Sequence, residues 1–335
     1  MLAIKLLGRR TIAAEAALLF ALSLTSISLS CVLLSDTFYV FLVAIGLLLF
    51  VLGLEQNRWF PSCSSGFLFG TALLTRTIGQ FWPIAMLFLV IISPCLRRLS
   101  TGSKIRIESC GVPYRALAAP VLAIIIAFSW VARNEIVHDV PMLARTSVFG
   151  PATVAAQTLE SLGGPSFRTS IATWFRSYRD STQTQTLSTK QTVDVLQYHA
   201  MIVFKEHTWR FLTTYAQRAW INATDKMYLH RSLIPRANDM TIHLEHKIKD
   251  SYLNYASFIL TMLGFIVLLF ARKLFTGALL GAVYIYYFSL SGPFPWQSCR
   301  YFFPAELAWT IVIAFLLVWL SDLLRHFFKA VDRNR

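Results

Sequence analysis

Apolar residues run almost unbroken through eight stretches of the chain, at about 12–34, 36–54, 59–75, 78–95, 115–132, 254–271, 274–291 and 304–321. Most approach the roughly 20 residues that an α-helix needs to cross the hydrocarbon of a bilayer. Between the fifth and sixth stretches the pattern changes. Gly163-Gly164-Pro165 and the polar tract Ser181-Thr182-Gln183-Thr184-Gln185-Thr186 read as loop. From Val193 to Lys249, Val193, Leu196, Ile202, Phe204, Trp209, Phe211, Leu212, Tyr215 and Trp220 return at loose helical spacing among charges. The pattern predicts an all-α polytopic membrane protein with about eight transmembrane helices and one long outer loop of amphipathic helices lying on the membrane surface. The expected organisation is 1–132 for the N-terminal transmembrane helices, 133–253 for the loop domain, and 254–335 for the C-terminal helices and a basic tail.

Composition narrows the class. With 56% hydrophobic and 14% charged residues and a mean hydropathy of +0.55, the 335 residues are too apolar for a soluble domain. Lys5, Arg9 and Arg10 precede the first apolar run, which is too long for a signal-peptide core and ends in no small-residue cleavage site, so it reads as a retained span. Lysine and arginine outnumber acids 31 to 17, an excess that fits anchoring to anionic lipid; no basic reading helix or RNA-binding sheet appears, and no nucleic-acid partner is expected. The five cysteines form no CxxC pair, which points away from a disulfide framework or a zinc site. No phosphate-cradling lysine loop, dinucleotide glycine pattern or nucleophile elbow occurs, and Gly66-x-x-x-Gly70 reads as a helix-packing motif.

The distribution of cations orients the spans. With a cytoplasmic amino terminus, the alternate connections hold 15 of the 31 basic residues, among them Arg97, Arg98, Lys104, Arg106 and Arg115. The short connections on the opposite side keep only Arg76 and Arg300, with Arg133 opening the long loop, so both termini are expected on the cytoplasmic side of an inner membrane. This topology collects Asp36, Arg76, Arg133 and Arg300 at the outer helix ends, beside the aromatics Tyr39, Phe81, Trp82, Trp130, Trp296 and Tyr301. A carboxylate among arginines that fork onto phosphate oxygens is chemistry suited to a phosphorylated lipid. Simpler roles stand beside it: Ser35-Asp36-Thr37 as a helix cap, Arg76 snorkelling to headgroups, Arg133 and Arg300 as interfacial anchors, and Glu306 complementing a helix dipole.

Three motifs then carry a resemblance. Leu74-Thr75-Arg76 at the end of a glycine-spaced helix, Ser129-Trp130-Val131-Ala132-Arg133-Asn134, and Arg300-Tyr301-Phe302-Phe303-Pro304 fall in the order found in the C-type membrane glycosyltransferases, which include protein O-mannosyltransferases and lipid A aminoarabinose transferases. The chain resembles that class. The resemblance implies inverting transfer of a sugar from a polyprenyl-phosphate donor to an acceptor on the periplasmic or lumenal face. It gives Asp36 an active-site role, Arg76 the grip on the lipid-linked phosphate, Arg133 and Arg300 supporting phosphate contacts, and Trp130 and Tyr301 an aromatic lining. It also implies that two or three family helices, with the principal catalytic acid, would precede the segment that begins at Met1. The alternatives are therefore a truncated, inactive or partner-dependent relative acting as a lipid-binding subunit in envelope polysaccharide assembly; a transporter or flippase is a third reading, disfavoured because the charges gather at helix ends. No cofactor is expected with certainty. His243-Leu244-Glu245-His246 and His138-Asp139 leave a divalent metal open without defining a ligand set, and Asn222-Ala223-Thr224 is an outward-facing glycosylation sequon.

Overall fold

The structure, a computed structural model, describes residues 1–23, 26, 34–101, 112–143, 146–184, 186–224, 252–291 and 303–333. Within them the chain is helical throughout, with no strand. A short helix α1 (Leu2–Leu7) ends at Gly8 in the left-handed conformation (φ 74°), and α2 (Arg10–Leu22) turns away from it. Long apolar helices follow: α3 (Leu34–Gln56), α4 (Trp59–Thr75), α5 (Trp82–Thr101) and α6 (Ala118–His138). After a group of shorter helices, α7 (Thr146–Ser161), α8 (Phe167–Thr182), α9 (Thr189–Glu206) and α10 (Thr208–Thr224), the bundle resumes with α11 (Tyr252–Phe270), α12 (Leu274–Ser291) and α13 (Glu306–Arg333).

Five segments are long and apolar enough to cross a membrane by length and composition: Asp36–Gln56, Trp82–Leu99, Tyr114–His138, Leu274–Ser291 and Phe303–Ala330. The predicted spans at 59–75 and 254–271 also form helices, α4 and α11, of 17 and 19 residues. The first predicted span differs. Its helix stops at Leu22, because Ser23 turns extended (φ −65°, ψ 133°) and its side chain is drawn to Glu306. A lipid-facing surface is written along the spans: Ile84, Phe88 and Ile91 on α5, and Val121, Ile125 and Phe128 on α6, are exposed at helical spacing. Such faces are stable only in hydrocarbon, where each helix satisfies its own backbone.

Small residues bring the bundle together. A Cβ placed on Gly66 would lie 2.4 Å from the Ala119 carbonyl oxygen, and one on Gly70 would lie 2.5 Å from Ile126 Cδ1, so the predicted packing motif is where α4 meets α6. The main core gathers Val43, Leu47, Phe50, Phe69, Met86, Ala119, Tyr287 and Val312 from six helices.

The segment between α6 and α11 has a second core. Ala152, Ala155 and Ala156 of α7, Trp174 of α8, and Val193, Leu196, Ala200 and Val203 of α9 bury one another. These amphipathic helices bury apolar faces against one another, while Tyr198, Met201, Trp209 and Leu212 remain exposed. Three of the helices, α7, α8 and α9, begin before Val193, where the periodicity starts. The Gly163-Gly164-Pro165 turn separates α7 from α8 as expected, while α8 extends into the polar tract as far as Thr182. Helix α10 docks this layer onto the bundle: the Tyr215 hydroxyl donates to the Ser289 carbonyl of α12, and Trp220 packs edge-on against Phe258 of α11 at 4.8 Å. Burial at this contact pushes the Tyr215 hydroxyl pKa up to about 12.

Candidate functional site

Asp36 and Arg76, separated by forty positions in sequence, form a buried ion pair. Asp36 is 2% and Arg76 12% exposed at the side chain. Asp36 lies in the first turn of α3, and its carboxylate pairs with Arg76. Arg76 stands one residue beyond α4 in extended conformation (φ −149°, ψ 120°), its N–H donating to the Ala72 carbonyl. The extended backbone carries the guanidinium sideways from the α4 axis to Asp36, instead of letting it snorkel into the headgroups.

The turn after Arg76 is fixed by tyrosines of α12. A 3₁₀ turn, Thr77–Gly79, leads into Trp82, whose indole N–H donates to the Tyr287 hydroxyl at 2.7 Å. The Tyr287 and Tyr39 hydroxyls share a bond of 2.8 Å. Tyr286 donates to the Ile78 carbonyl at 2.8 Å, receives the Phe81 N–H at 3.0 Å, and stacks on Trp82 at 4.8 Å. Gly79 permits this closure, since a Cβ there would stand 2.9 Å from the Tyr39 hydroxyl. Arg76 therefore sits on a clamped turn: the Tyr39 and Tyr287 hydroxyls satisfy one another, and the Tyr286 hydroxyl is satisfied by the turn's backbone.

A second carboxylate is buried at the same end of the bundle. Glu306, 1% exposed, opens α13 and accepts from Ser23 Oγ at 2.5 Å and Ser26 Oγ at 3.2 Å. Its place in the first helical turn matches the dipole reading, but its burial and serine partners were not foreseen. The available signal was an acid two residues after the Arg300–Pro304 motif, at the head of an otherwise apolar helix.

The Trp130-x-x-Arg133-Asn134 motif serves a different place. Arg133 is exposed, lies over the Trp130 ring at 4.9 Å, and donates to Asn134 Oδ1 at 2.9 Å. Asn134 Nδ2 and Trp130 Nε1 donate to the Met142 and Leu143 carbonyls at 2.8 and 3.2 Å, pinning the chain where it leaves α6 for the second core. A cavity of about 320 Å³ opens there, lined by Trp130, Arg133, Asn134, His138, Met142 and Thr189 among others. Asp139 is taken by Lys190 at 2.7 Å, an exposed contact that raises the lysine pKa. Arg300, Tyr301, Trp296, His243 and His246 lie outside the described residues. Among the described residues no three His, Cys, Asp or Glu side chains gather as metal ligands.

The inferred constellation thus resolves into the Asp36–Arg76 pair on its tyrosine-clamped turn and the Trp130–Arg133 group at the root of the second core. No curated protein and no solved structure matches the chain. Residues 1–131 match the family model for dolichyl-phosphate-mannose-protein mannosyltransferases, a stretch that contains both Asp36 and Arg76. Over this N-terminal part the multi-pass chain is similar to that family, and the match supports a membrane glycosyltransferase of the C-type.

Proposed function

We propose that this protein transfers a sugar from a polyprenyl-phosphate donor to an acceptor hydroxyl on the periplasmic or lumenal face, at the site marked by Asp36 and Arg76. The buried Asp36–Arg76 pair, inside the family-matched stretch, carries the reading. Arg76 would hold the donor phosphate. Its guanidinium is planar, permanently charged and equipped with five N–H donors, so it can keep a carboxylate and a phosphate oxygen together. Phosphate is the leaving group when the glycosidic bond to the lipid breaks, and a cation fixed on a rigid turn stabilises the charge that develops there. Asp36 would orient the acceptor hydroxyl and take its proton as oxygen attacks the anomeric carbon. Arg133 and Arg300 are assigned to the lipid phosphate or the acceptor, with Trp130 and Tyr301 lining the approach, and both termini face the cytoplasm.

One observation favours a second reading. Asp36 is already neutralised by Arg76, which suits a phosphate-binding subunit that performs no transfer or requires a partner to supply the acid. Purified protein in lipid nanodiscs, given polyprenyl-phosphate sugars and membrane acceptors, separates the two. The first reading expects transfer that Arg76→Ala and Asp36→Asn each reduce by about a hundredfold or more, the usual loss for a group acting on the transition state. Lipid binding without transfer by the wild type would favour the second.

A further inference from the structure

At the far end of the bundle from Asp36, the structure contains a second charged recess. Asp322 lies sixteen residues into α13 after Glu306, about 24 Å along the helix axis at 1.5 Å per residue. There a cavity of about 410 Å³ opens between α2 and α13, lined by Arg9, Arg10, Glu15, Val318, Asp322 and Arg325 among others. Arg9 reaches across it to Asp322, tying the two helices together. The Glu15 Oε2 atom is buried and has no hydrogen-bond partner among the described residues.

We infer that this recess binds the headgroup of a singly charged phosphodiester lipid bearing hydroxyl donors, of the phosphatidylglycerol type, in the leaflet at that end. Three features converge on this class. First, the charge matches: three guanidiniums and two carboxylates leave one net positive charge, which a phosphodiester neutralises and a doubly charged phosphomonoester exceeds. Second, with Arg9 committed to Asp322, Arg10 and Arg325 supply donors for phosphate oxygens, while the orphaned Glu15 oxygen calls for an O–H donor from the ligand. Third, the recess adjoins an apolar track. Arg10, Ala14, Leu18 and Leu22 recur every fourth residue along one exposed side of α2, and Leu317 and Leu320 are exposed on α13 on the Glu306 side of Asp322. Acyl chains laid along these faces would place the headgroup at the arginines.

The test is native mass spectrometry of the full chain in detergent, titrated with phosphatidylglycerol, phosphatidylcholine, phosphatidic acid or inorganic phosphate. The expected result is retention of phosphatidylglycerol above the other lipids and no displacement by millimolar inorganic phosphate. The double variant Arg10→Gln/Arg325→Gln should bind phosphatidylglycerol roughly thirtyfold more weakly, two arginine contacts at a lipid surface converted to affinity. Glu15→Gln, which removes one negative charge, should move the preference toward phosphatidic acid. Both variants keep the Arg9–Asp322 bridge, and melting temperatures within a few degrees of the wild type establish that they fold. Equal retention of phosphatidylcholine, unchanged binding in the folded double variant, or competition by inorganic phosphate would each overturn the assignment. None of these readouts depends on sugar transfer.

Discussion

The two ends of the bundle use charge in opposite ways. At the Arg9 end, ions are paired in the open: Lys5 meets Glu55 at 2.5 Å with side chains 37% and 34% exposed, and Arg9 meets Asp322 beside the recess. Asn57, in the left-handed conformation (φ 46°), accepts the Arg115 N–H on its side-chain oxygen at 3.1 Å. These are anchors, and water or headgroups can replace each partner. At the Arg76 end, by contrast, Asp36 and Glu306 are buried, and each carboxylate is held by groups from a distant part of the chain. Removing carboxylates from water costs several kcal/mol per ion before pairing returns any of it. A fold spends that much where the charge has work beyond anchoring, which is why the Arg76 end is the candidate for chemistry.

The contrast can be broken by substitution. The largest effect is expected from Arg76→Ala, which strands a buried carboxylate and should cost about 3–5 kcal/mol, read as a lower thermal unfolding midpoint in detergent. The paired change Asp36→Asn/Arg76→Met removes both charges and should recover most of that loss. At the same end, Tyr287→Phe deprives Tyr39 and Trp82 of their shared hydroxyl and should cost about 1–3 kcal/mol, with a shift in buried tryptophan emission. At the Arg9 end, Lys5→Ala should change stability by less than about 1 kcal/mol, and the difference should shrink further in high salt. If Lys5→Ala and Arg76→Ala destabilised equally, the distinction between the ends would fail.

A smaller effect probes the second core. His199 stacks on Trp174 at 4.8 Å with ring planes 4° apart, and burial lowers its pKa below the ordinary value of 6.5. The folded state thus holds a neutral imidazole where the unfolded chain accepts a proton. Stability is unaffected above the unfolded pKa and is lost as pH falls through about 6.5 and below. Hydrogen exchange of α8 and α9 should accelerate between pH 7.5 and 5.5 in the wild type, and His199→Phe should remove the part of that change due to this residue.

Much of the fold was legible because lipid and sequence speak the same code. Hydrocarbon demands long apolar helices, so the order of α3 to α6 and of α11 to α13 followed from hydropathy, and Gly66 and Gly70 were readable as a packing seam. Asp36 and Arg76 were readable singly as costly charges at helix ends. Their pairing was not, since it depends on an extended residue after α4 and on how α3 and α4 pack. Glu306 was read as a dipole partner because nothing local in the sequence shows that Ser23 and Ser26 reach it. The Trp130–Arg133–Asn134 motif was readable as a motif, but that Trp130 and Asn134 also fasten the turn at 140–143 was not. The second core escaped because short amphipathic helices carry the same pattern whether they lie on a membrane or on one another.

The central claim is that the Arg76 charge, and not merely the fold around it, binds a lipid-linked phosphate. The direct measurement is equilibrium binding of a labelled polyprenyl phosphate to the full chain and to the Asp36→Asn/Arg76→Met variant, both verified by melting to be folded. Loss of binding by about tenfold or more, the value of one charge-assisted phosphate contact, is the expected result. Unchanged affinity in a folded variant would contradict the account.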